Sequence, residues 1–145
     1  PLTDGAAATL VCSADYAAKN GLKPMARIAS FAVSGCKPET MGLGPIFSSR
    51  KALSRAGITS QDLSVIEVNE AFATQSIASL RDLDLDPATV NVDGGAIAIG
   101  HPLGATGARI TGKAAQILQR DGGRYALSTQ CIGGGQGIAT VLEAV

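Results

Sequence analysis

The chain alternates between short apolar runs and longer segments in which apolar residues recur every three or four positions. Short runs rich in β-branched residues are typical of buried strands, and the longer periodic segments are typical of amphipathic helices. The strands predicted by this pattern are 6–13, 26–34, 63–68, 90–92, 125–130 and 137–142. The helices predicted are 14–20, 45–56, 70–83 and 104–120. Strands that alternate with helices indicate an α/β layer fold.

Glycine and proline mark several boundaries of these predicted elements. Pro45 suits the first turn of the helix 45–56, and Gly57 suits its end. The last two strands are separated only by the glycine-rich segment 133–136, which predicts an antiparallel hairpin. Twelve of the 18 glycines lie between Gly94 and Gly137. The second half of the chain therefore carries the backbone that needs unusual dihedral angles or close approach.

Composition narrows the classes of function. The chain has 145 residues, 12 basic and 12 acidic side chains and no net charge, so a single domain is expected. A hydrophobic content of 46% excludes a disordered chain. The absence of net charge argues against a nucleic-acid-binding protein, which normally has a basic face. An aromatic content of 3% argues against a surface on which nucleic-acid bases stack.

The cysteines and the apolar runs bear on the compartment. Cys12, Cys36 and Cys131 are far apart and form no CxxC pair, so neither a disulfide framework nor a zinc ribbon is expected. An intracellular, reducing compartment is predicted, the cytoplasm first and a mitochondrial or peroxisomal matrix as alternatives. No apolar run reaches the roughly 18 residues of a membrane span, and no signal peptide is visible. The chain opens on Pro1 rather than Met, which fits a processed or truncated chain.

Two side chains stand out as candidates for chemistry. His101 is the only histidine, and it lies in the glycine-rich stretch 94–109 before Pro102, which can start a helix. A structural histidine that caps a turn and a functional histidine both fit this context. Cys131 ends a predicted strand before a glycine turn, where backbone N–H groups could lower its pKa. A buried cysteine acting as a small apolar residue is the alternative, and it is the preferred interpretation for Cys12 and Cys36.

Other motifs carry less information. Asn69 lies between a strand and a helix, where asparagine is a common helix N-cap. The segment 107–113 ends in Gly-Lys as a P-loop does, but Ala114 follows where a magnesium-binding Ser or Thr is needed. The three glycines 133–135 lack the spacing of a dinucleotide-binding loop. No metal site is expected, because no ligand spacing is recognisable.

Three segments taken together resemble signatures of the thiolase family of acyl-CoA acetyltransferases. They are Asn69-Glu70-Ala71-Phe72-Ala73, the stretch 94–109 with its Gly-His-Pro-Leu-Gly core, and Cys131-Ile132-Gly133-Gly134-Gly135. Segments 1–8 and 41–45 are also similar to family signatures, so the resemblance covers essentially the whole chain. It implies that residues 1–145 form a thiolase-like C-terminal half, an α/β domain of order βαβαβαββ whose mixed five-stranded sheet is covered by helices.

The family's chemistry implies roles for the matching positions. Thiolases form or break a carbon–carbon bond between two acyl-CoA units; one cysteine takes the acyl group and a second moves the α-proton. Cys131 matches the second, acid/base cysteine, and His101 matches the histidine that activates the nucleophile and helps to hold the thioester oxygen. Asn69 matches the residue that positions a water in one oxyanion hole, and the Gly133 N–H matches a donor of the other. The positions that match the lining of the acyl and pantetheine pocket are Met41, Ala71 and Phe72.

The resemblance also implies what this chain needs. Its substrates are coenzyme A and CoA thioesters, with no permanently bound cofactor, and the full-length enzyme is a homo-oligomer. The family's nucleophilic cysteine belongs to an N-terminal half whose motif has no counterpart here, since Cys12 and Cys36 lie elsewhere. The chain alone is therefore expected to supply the acid/base cysteine, the histidine and oxyanion-hole groups, and to be inactive by itself.

Two other interpretations remain open at this point. A condensing enzyme of the ketoacyl-synthase type uses two histidines opposite its cysteine, whereas this chain has His101 alone. A non-catalytic CoA-binding or assembly module of the same fold is the second alternative. The direction of the reaction and the preferred acyl chain length are left undetermined by the sequence.

Overall fold

The centre of the fold is a four-stranded mixed sheet with helices on both faces. The computed structural model describes residues 2–145. Its strands are β1 (Arg27–Gly35), β2 (Leu63–Val68), β3 (Tyr125–Ile132) and β4 (Gln136–Glu143). Their order across the sheet is β1-β4-β3-β2. β4 pairs antiparallel with both β1 and β3, and β2 pairs parallel with β3.

Residues 2–145 also contain five α-helices and three 3₁₀ segments. The helices are α1 (Ala14–Lys19), α2 (Gly44–Ala56), α3 (Ala73–Asp82), α4 (Ala96–Ile99) and α5 (Thr106–Asp121). The 3₁₀ segments are Pro38–Leu43, Ser60–Asp62 and Pro87–Thr89. Among residues 2–145, every helix is too short or too polar to span a bilayer.

The expectation of a five-stranded sheet is wrong. Residues 6–13 have the apolar pattern of a strand, but no strand of the described chain pairs with them and they are exposed throughout. A strand forms only where a neighbour accepts its backbone hydrogen bonds, and its apolar pattern alone is not sufficient. The predicted strand 90–92 is reduced to a single parallel bridge between Ile66 and Val90. The first strand of the predicted order βαβαβαββ is therefore absent from the described residues.

The predicted helices are present, with shifted starts. The helix expected from residue 70 begins at Ala73, because Phe72 is still extended at φ −145° and ψ 142°. The helix expected from residue 104 begins at Thr106, so Pro102 lies ahead of it rather than in its first turn. The C-terminal stop at Gly57 is confirmed, since this residue is left-handed at φ 71°.

Alternating side chains of the strands build two apolar clusters, one on each face of the sheet. α2 covers one face, and the cluster beneath it includes Ile46, Leu53, Ile66, Val68, Leu127 and Val141. α5 covers β2 and β3 on the other face, with Val65, Ala114, Ile117, Leu118 and Leu142. Each fully buried Val, Leu or Ile contributes about 1.5–3 kcal/mol through removal of apolar surface from water.

One close approach fixes α2 against the sheet. Gly44 at the start of α2 and Gly137 in β4 are in backbone contact. A Cβ on Gly44 would overlap the backbone of β4, and a Cβ on Gly137 would overlap the backbone of α2. The start of α2 therefore lies directly on β4. This contact also sets the position of the 3₁₀ segment Pro38–Leu43 that precedes α2.

A carboxyl group is buried beneath α5. Glu67 of β2 is 1% exposed, and neither of its carboxylate oxygens has a hydrogen-bond partner among the described residues. Burial raises the pKa of Glu67 from 4.5 to about 7, although the nearby positive charges of Arg109 and Lys113 oppose this shift. At neutral pH this carboxyl is therefore poised between its charged and neutral forms.

We expect Glu67→Gln to stabilise the protein in alkaline solution. Between pH 4.5 and 7 the folded chain holds a proton on Glu67 that the unfolded chain releases, so wild-type stability falls as pH rises through this window. Glutamine cannot ionise, and the gain above pH 7 is up to about 3 kcal/mol, with little change at pH 4. Urea unfolding at pH 4, 6 and 8 measures this, with exposed Glu39→Gln as the control. A Glu67→Gln protein less stable than wild type at pH 8 would contradict it.

Candidate active site

The candidate site residues meet at one edge of the sheet. β2 and β3 run parallel, so their carboxyl ends lie side by side, and crevices at such ends are the usual ligand sites of α/β sheets. Asn69 follows β2 directly, and its N–H donates to the Thr129 carbonyl oxygen at 2.9 Å. Cys131 lies near the end of β3, two residues beyond Thr129. Asn69 and Cys131 therefore lie at the neighbouring carboxyl ends of β2 and β3.

A chain of hydrogen bonds fixes the ring of His101. Asn69 Nδ2 lies 3.2 Å from His101 Nε2, and Thr106 Oγ1 lies 2.6 Å from His101 Nδ1. The Thr106 hydroxyl donates its one proton to the Pro102 carbonyl oxygen at 3.0 Å. Thr106 Oγ1 must therefore accept from Nδ1–H, which leaves Nε2 unprotonated as the acceptor from Asn69. This arrangement assigns the Nδ1–H tautomer to the neutral ring.

The surroundings of His101 keep it neutral. Burial lowers the pKa of His101, and the positive charge of Arg109 lowers it further. Nε2 therefore carries a lone pair and no proton at neutral pH, and in this structure the lone pair accepts from Asn69. Asn69 is fully buried, and its Oδ1 has no partner among the described residues. This carbonyl oxygen is a free acceptor beside the histidine.

The Cys131 thiol is protonated at neutral pH. Burial raises the pKa of this half-buried thiol, and the nearby Cys36 thiol raises it further. The backbone N–H of Cys131 lowers it in part. The lowering by a backbone N–H that the sequence predicts is therefore present, but burial has the larger effect and the pKa of Cys131 is raised overall.

The other two cysteines differ from one another. Cys36 is half-buried beside the β3–β4 turn, where its N–H donates to the Gly135 carbonyl oxygen at 2.7 Å. Cys12 is exposed, which contradicts its interpretation as a packed apolar residue. The reason is that residues 6–13 are exposed, so no core forms around Cys12.

The turn between β3 and β4 leaves space above its first glycine. Gly134 and Gly135 have φ of 83° and 90°, values that side-chain-bearing residues rarely adopt. A Cβ on Gly133 would meet no described atom within 4 Å. The Gly133 backbone therefore borders open space next to Cys131.

The three residues expected to line a pocket lie in the connections at this edge. Met41 is half-buried on the 3₁₀ segment Pro38–Leu43. Ala71 is half-buried and Phe72 is 60% exposed, both between β2 and α3. α3 packs against the 3₁₀ segment, with the Gln75 side chain close to Gly42. Met41 and Phe72 therefore flank neighbouring parts of the surface.

Sequence reasoning missed two groups that control the histidine. Thr106 fixes the ring tautomer, and Arg109 acts on the charge of His101 and also on that of Glu67. Their signal in the sequence is weak, because Thr and Arg are ordinary residues for the first turn of a helix. Within residues 2–145, no three His, Cys, Asp or Glu side chains converge as a metal site would require.

Comparison with known proteins identifies the family of this chain. The family model described as thiolase, C-terminal domain, matches residues 22–144. The chain belongs to the thiolase family. It is 56% identical over 98% of its length to acetyl-CoA acetyltransferase of Paracoccus denitrificans, and 49% identical over 99% to human mitochondrial 3-ketoacyl-CoA thiolase. In both cases it covers 36% of the relative, so it spans about a third of a thiolase.

Solved structures agree with this thiolase assignment. Crystal structures of human mitochondrial 3-ketoacyl-CoA thiolase, one of them in complex with CoA, match with a TM-score of 0.89 and 50% identity. The match covers 92% of this chain and 34% of the human thiolase chain. The resemblance read from the three sequence motifs is thereby confirmed at the level of family and fold.

We expect Thr106→Val to release the tautomer of His101. Valine keeps the shape of threonine but removes the acceptor for Nδ1–H, so the Nδ1–H and Nε2–H forms should mix and the unfolding free energy should fall by about 1–2 kcal/mol. Because His101 is the only histidine, ¹⁵N NMR of the ring reports this without overlap.

Thr111→Val is the matched control for this measurement. Thr111 lies in the same helix and bonds the Ser128 hydroxyl at 3.0 Å rather than the histidine. The Thr111→Val variant should leave the ring signals of His101 unchanged. A Thr106→Val chain that keeps a pure Nδ1–H tautomer would contradict the assignment.

Proposed function

We propose that this chain is the C-terminal catalytic half of a thiolase that cleaves 3-ketoacyl-CoA with coenzyme A, or runs the reverse condensation. The observation that carries the proposal is the Asn69–His101–Thr106 hydrogen-bond chain at the sheet edge that also holds Cys131. The chain spans about a third of its thiolase relatives, so the nucleophilic cysteine of the reaction is supplied by the remaining part of the protein.

His101 serves as the base that activates this nucleophile. Its neutral Nε2 accepts the proton of a cysteine thiol from the other half, and the thiolate attacks the substrate carbonyl. The resulting imidazolium then has an Nε2–H to donate to the thioester oxygen. The Nδ1–H bond to Thr106 supports this role, because it keeps Nε2 the unprotonated nitrogen; the thiol proton takes the place of the Asn69 N–H there when it is transferred.

Cys131 serves as the acid and then as the base. In the cleavage direction the bond between Cα and Cβ of the 3-ketoacyl group breaks, and the Cα carbanion takes the proton of the Cys131 thiol to give acetyl-CoA. The Cys131 thiolate then takes the proton of an incoming CoA thiol, whose sulfur attacks the acyl group held on the nucleophilic cysteine. The bond between the acyl group and that cysteine breaks, the shortened acyl-CoA leaves, and the freed cysteine thiolate takes its proton back from His101. A raised thiol pKa suits the first step, because the proton is present at neutral pH.

Backbone and amide groups stabilise the negative charge that develops on the carbonyl oxygens of the substrate. Asn69 positions a water beside His101, because its buried amide lies 3.2 Å from the imidazole ring. The Gly133 N–H, next to open space, donates to the oxygen of the acetyl-CoA enolate. Met41, Ala71 and Phe72 line the path of the acyl group and pantetheine arm. Coenzyme A thioesters enter as substrates, and the complete enzyme is a homo-oligomer without a permanent cofactor.

We expect the chain alone to be inactive and a completed enzyme to be active. Joining it to the part of Paracoccus denitrificans acetyl-CoA acetyltransferase that it does not cover supplies the other half of the site. Loss of acetoacetyl-CoA in the presence of CoA is the assay. Turnover by the chain alone would contradict the half-site, and a folded chimaera without turnover would favour a non-catalytic module.

We expect Cys131→Ser in this chimaera to reduce both thiolysis and exchange of the acetyl-CoA α-proton by at least about 10²-fold, the usual contribution of a positioned acid or base. The serine hydroxyl is too weak an acid to replace the thiol. Deuterium incorporation followed by NMR measures the exchange. Exposed Cys12→Ser is the control, with no expected change. Unchanged exchange in the Cys131 variant would remove this residue from the mechanism.

A further inference from the structure

Asn69 and His101 belong to two different segments that meet only at the site. Asn69 follows β2, and His101 ends the loop that begins at Asn91 and includes α4. Their side chains are 3.2 Å apart, so small movements of either segment would break the contact. Directly behind this contact, two polar side chains connect the two segments.

Asn91 is the first of these side chains. It is buried and holds a left-handed backbone with φ 50°. Its N–H donates to the Ile66 carbonyl oxygen at 2.9 Å. Its side-chain Oδ1 accepts from the Val68 N–H at 2.9 Å, and its Nδ2 donates to the Val68 carbonyl oxygen at 2.8 Å. The amide thus bonds both backbone groups of Val68, the residue before Asn69, as a neighbouring strand would.

Glu70 is the second side chain, and both of its carboxylate oxygens are used. Oε1 accepts from Asn91 Nδ2 at 2.9 Å, and Oε2 accepts from the Ile97 N–H in α4 at 2.9 Å. Gly95 lies so close to this carboxylate that any Cβ there would overlap it. Glu70, the residue after Asn69, therefore fixes the loop at Ile97, which lies four residues before His101.

We propose that Glu70 and Asn91 form a clip that holds the His101 loop against the end of β2 and so positions His101 Nε2 on Asn69. The clip consists of the bonds of Val68, Asn91, Glu70 and Ile97 described above. Both members are positioning residues, because they act through Asn69 and His101 and not on substrate. The inference rests on the proposed function only for its catalytic meaning, since the geometry of the contact is a property of this chain.

Three variants test the clip. Glu70→Gln retains one acceptor and turns an amide N–H towards either Asn91 or Ile97, so one of the two bonds is lost. Asn91→Asp places two carboxylates against each other. In the double exchange Glu70→Gln with Asn91→Asp, the glutamine amide donates to the aspartate and its oxygen still accepts from Ile97, but the bond from Asn91 Nδ2 to the Val68 carbonyl oxygen is not replaced. Exposed Glu39→Gln is the control.

The readouts are the amide NMR signal of Ile97 and the ring signals of His101, the only histidine. We expect each single variant to shift both sets and to move the pKa of His101 upward towards about 6.5, the value of an unperturbed imidazole. The double exchange should move the His101 signals part of the way back from their positions in Asn91→Asp towards those of wild type, because it restores the bond between residues 70 and 91 but not the bond to the Val68 carbonyl oxygen. Glu39→Gln should leave the His101 signals at the wild-type positions.

Two results would overturn the clip. One is a Glu70→Gln chain whose Ile97 signal shifts while the His101 signals stay as in wild type. The other is a double variant whose His101 signals are displaced from wild type as far as those of Asn91→Asp; where Asn91→Asp does not fold, the Glu70→Gln comparison decides alone. These measurements use the chain without substrate, so failure of the clip is distinct from failure of the thiolase assay in the chimaera.

Discussion

The Asn69 N–H donates to the Thr129 carbonyl oxygen, and this bond extends the parallel pairing of β2 with β3 to its carboxyl end. Because both strands run in the same direction, Asn69 and Cys131 emerge at one edge although 62 positions separate them in the sequence. β4 pairs back on β3 through a turn of three glycines, so that Gly133 emerges at the same edge. The arrangement of the candidate site follows from this register.

Burial sets the charge of each group around that edge. It lowers the pKa of His101, raises that of the Cys131 thiol and raises that of Glu67. All three shifts favour the neutral form, as expected where water is excluded and few counter-charges are present. Arg109 acts on both His101 and Glu67, which links the histidine to the carboxyl beneath α5. A site of neutral groups suits chemistry in which protons move between thiols, an imidazole and a carbon atom.

Local patterns predicted the elements with neighbours inside this chain. The strands over 26–34, 63–68, 125–130 and 137–142 are confirmed, as is the hairpin, because each run packs against α2 or α5 within the chain. Residues 6–13 carry the same kind of pattern and form no strand, since the pattern does not say whether a pairing partner is at hand. The bridge at Val90 is short because the Asn91 side chain takes the backbone groups of Val68 that a longer strand would have used.

The sequence by itself indicated the α/β class and singled out His101 and Cys131, because a histidine in a glycine-rich loop and a cysteine before a glycine turn are local features. The resemblance to the thiolase family added Asn69 and Gly133 as candidate groups. The tertiary structure decided what those groups are chemically. The tautomer of His101 depends on Thr106, the protonation of Cys131 on burial, and the meeting of Asn69 with His101 on Glu70 and Asn91. Hydrogen-bond geometry and desolvation arise between residues that are distant in the chain, so no local pattern encodes them.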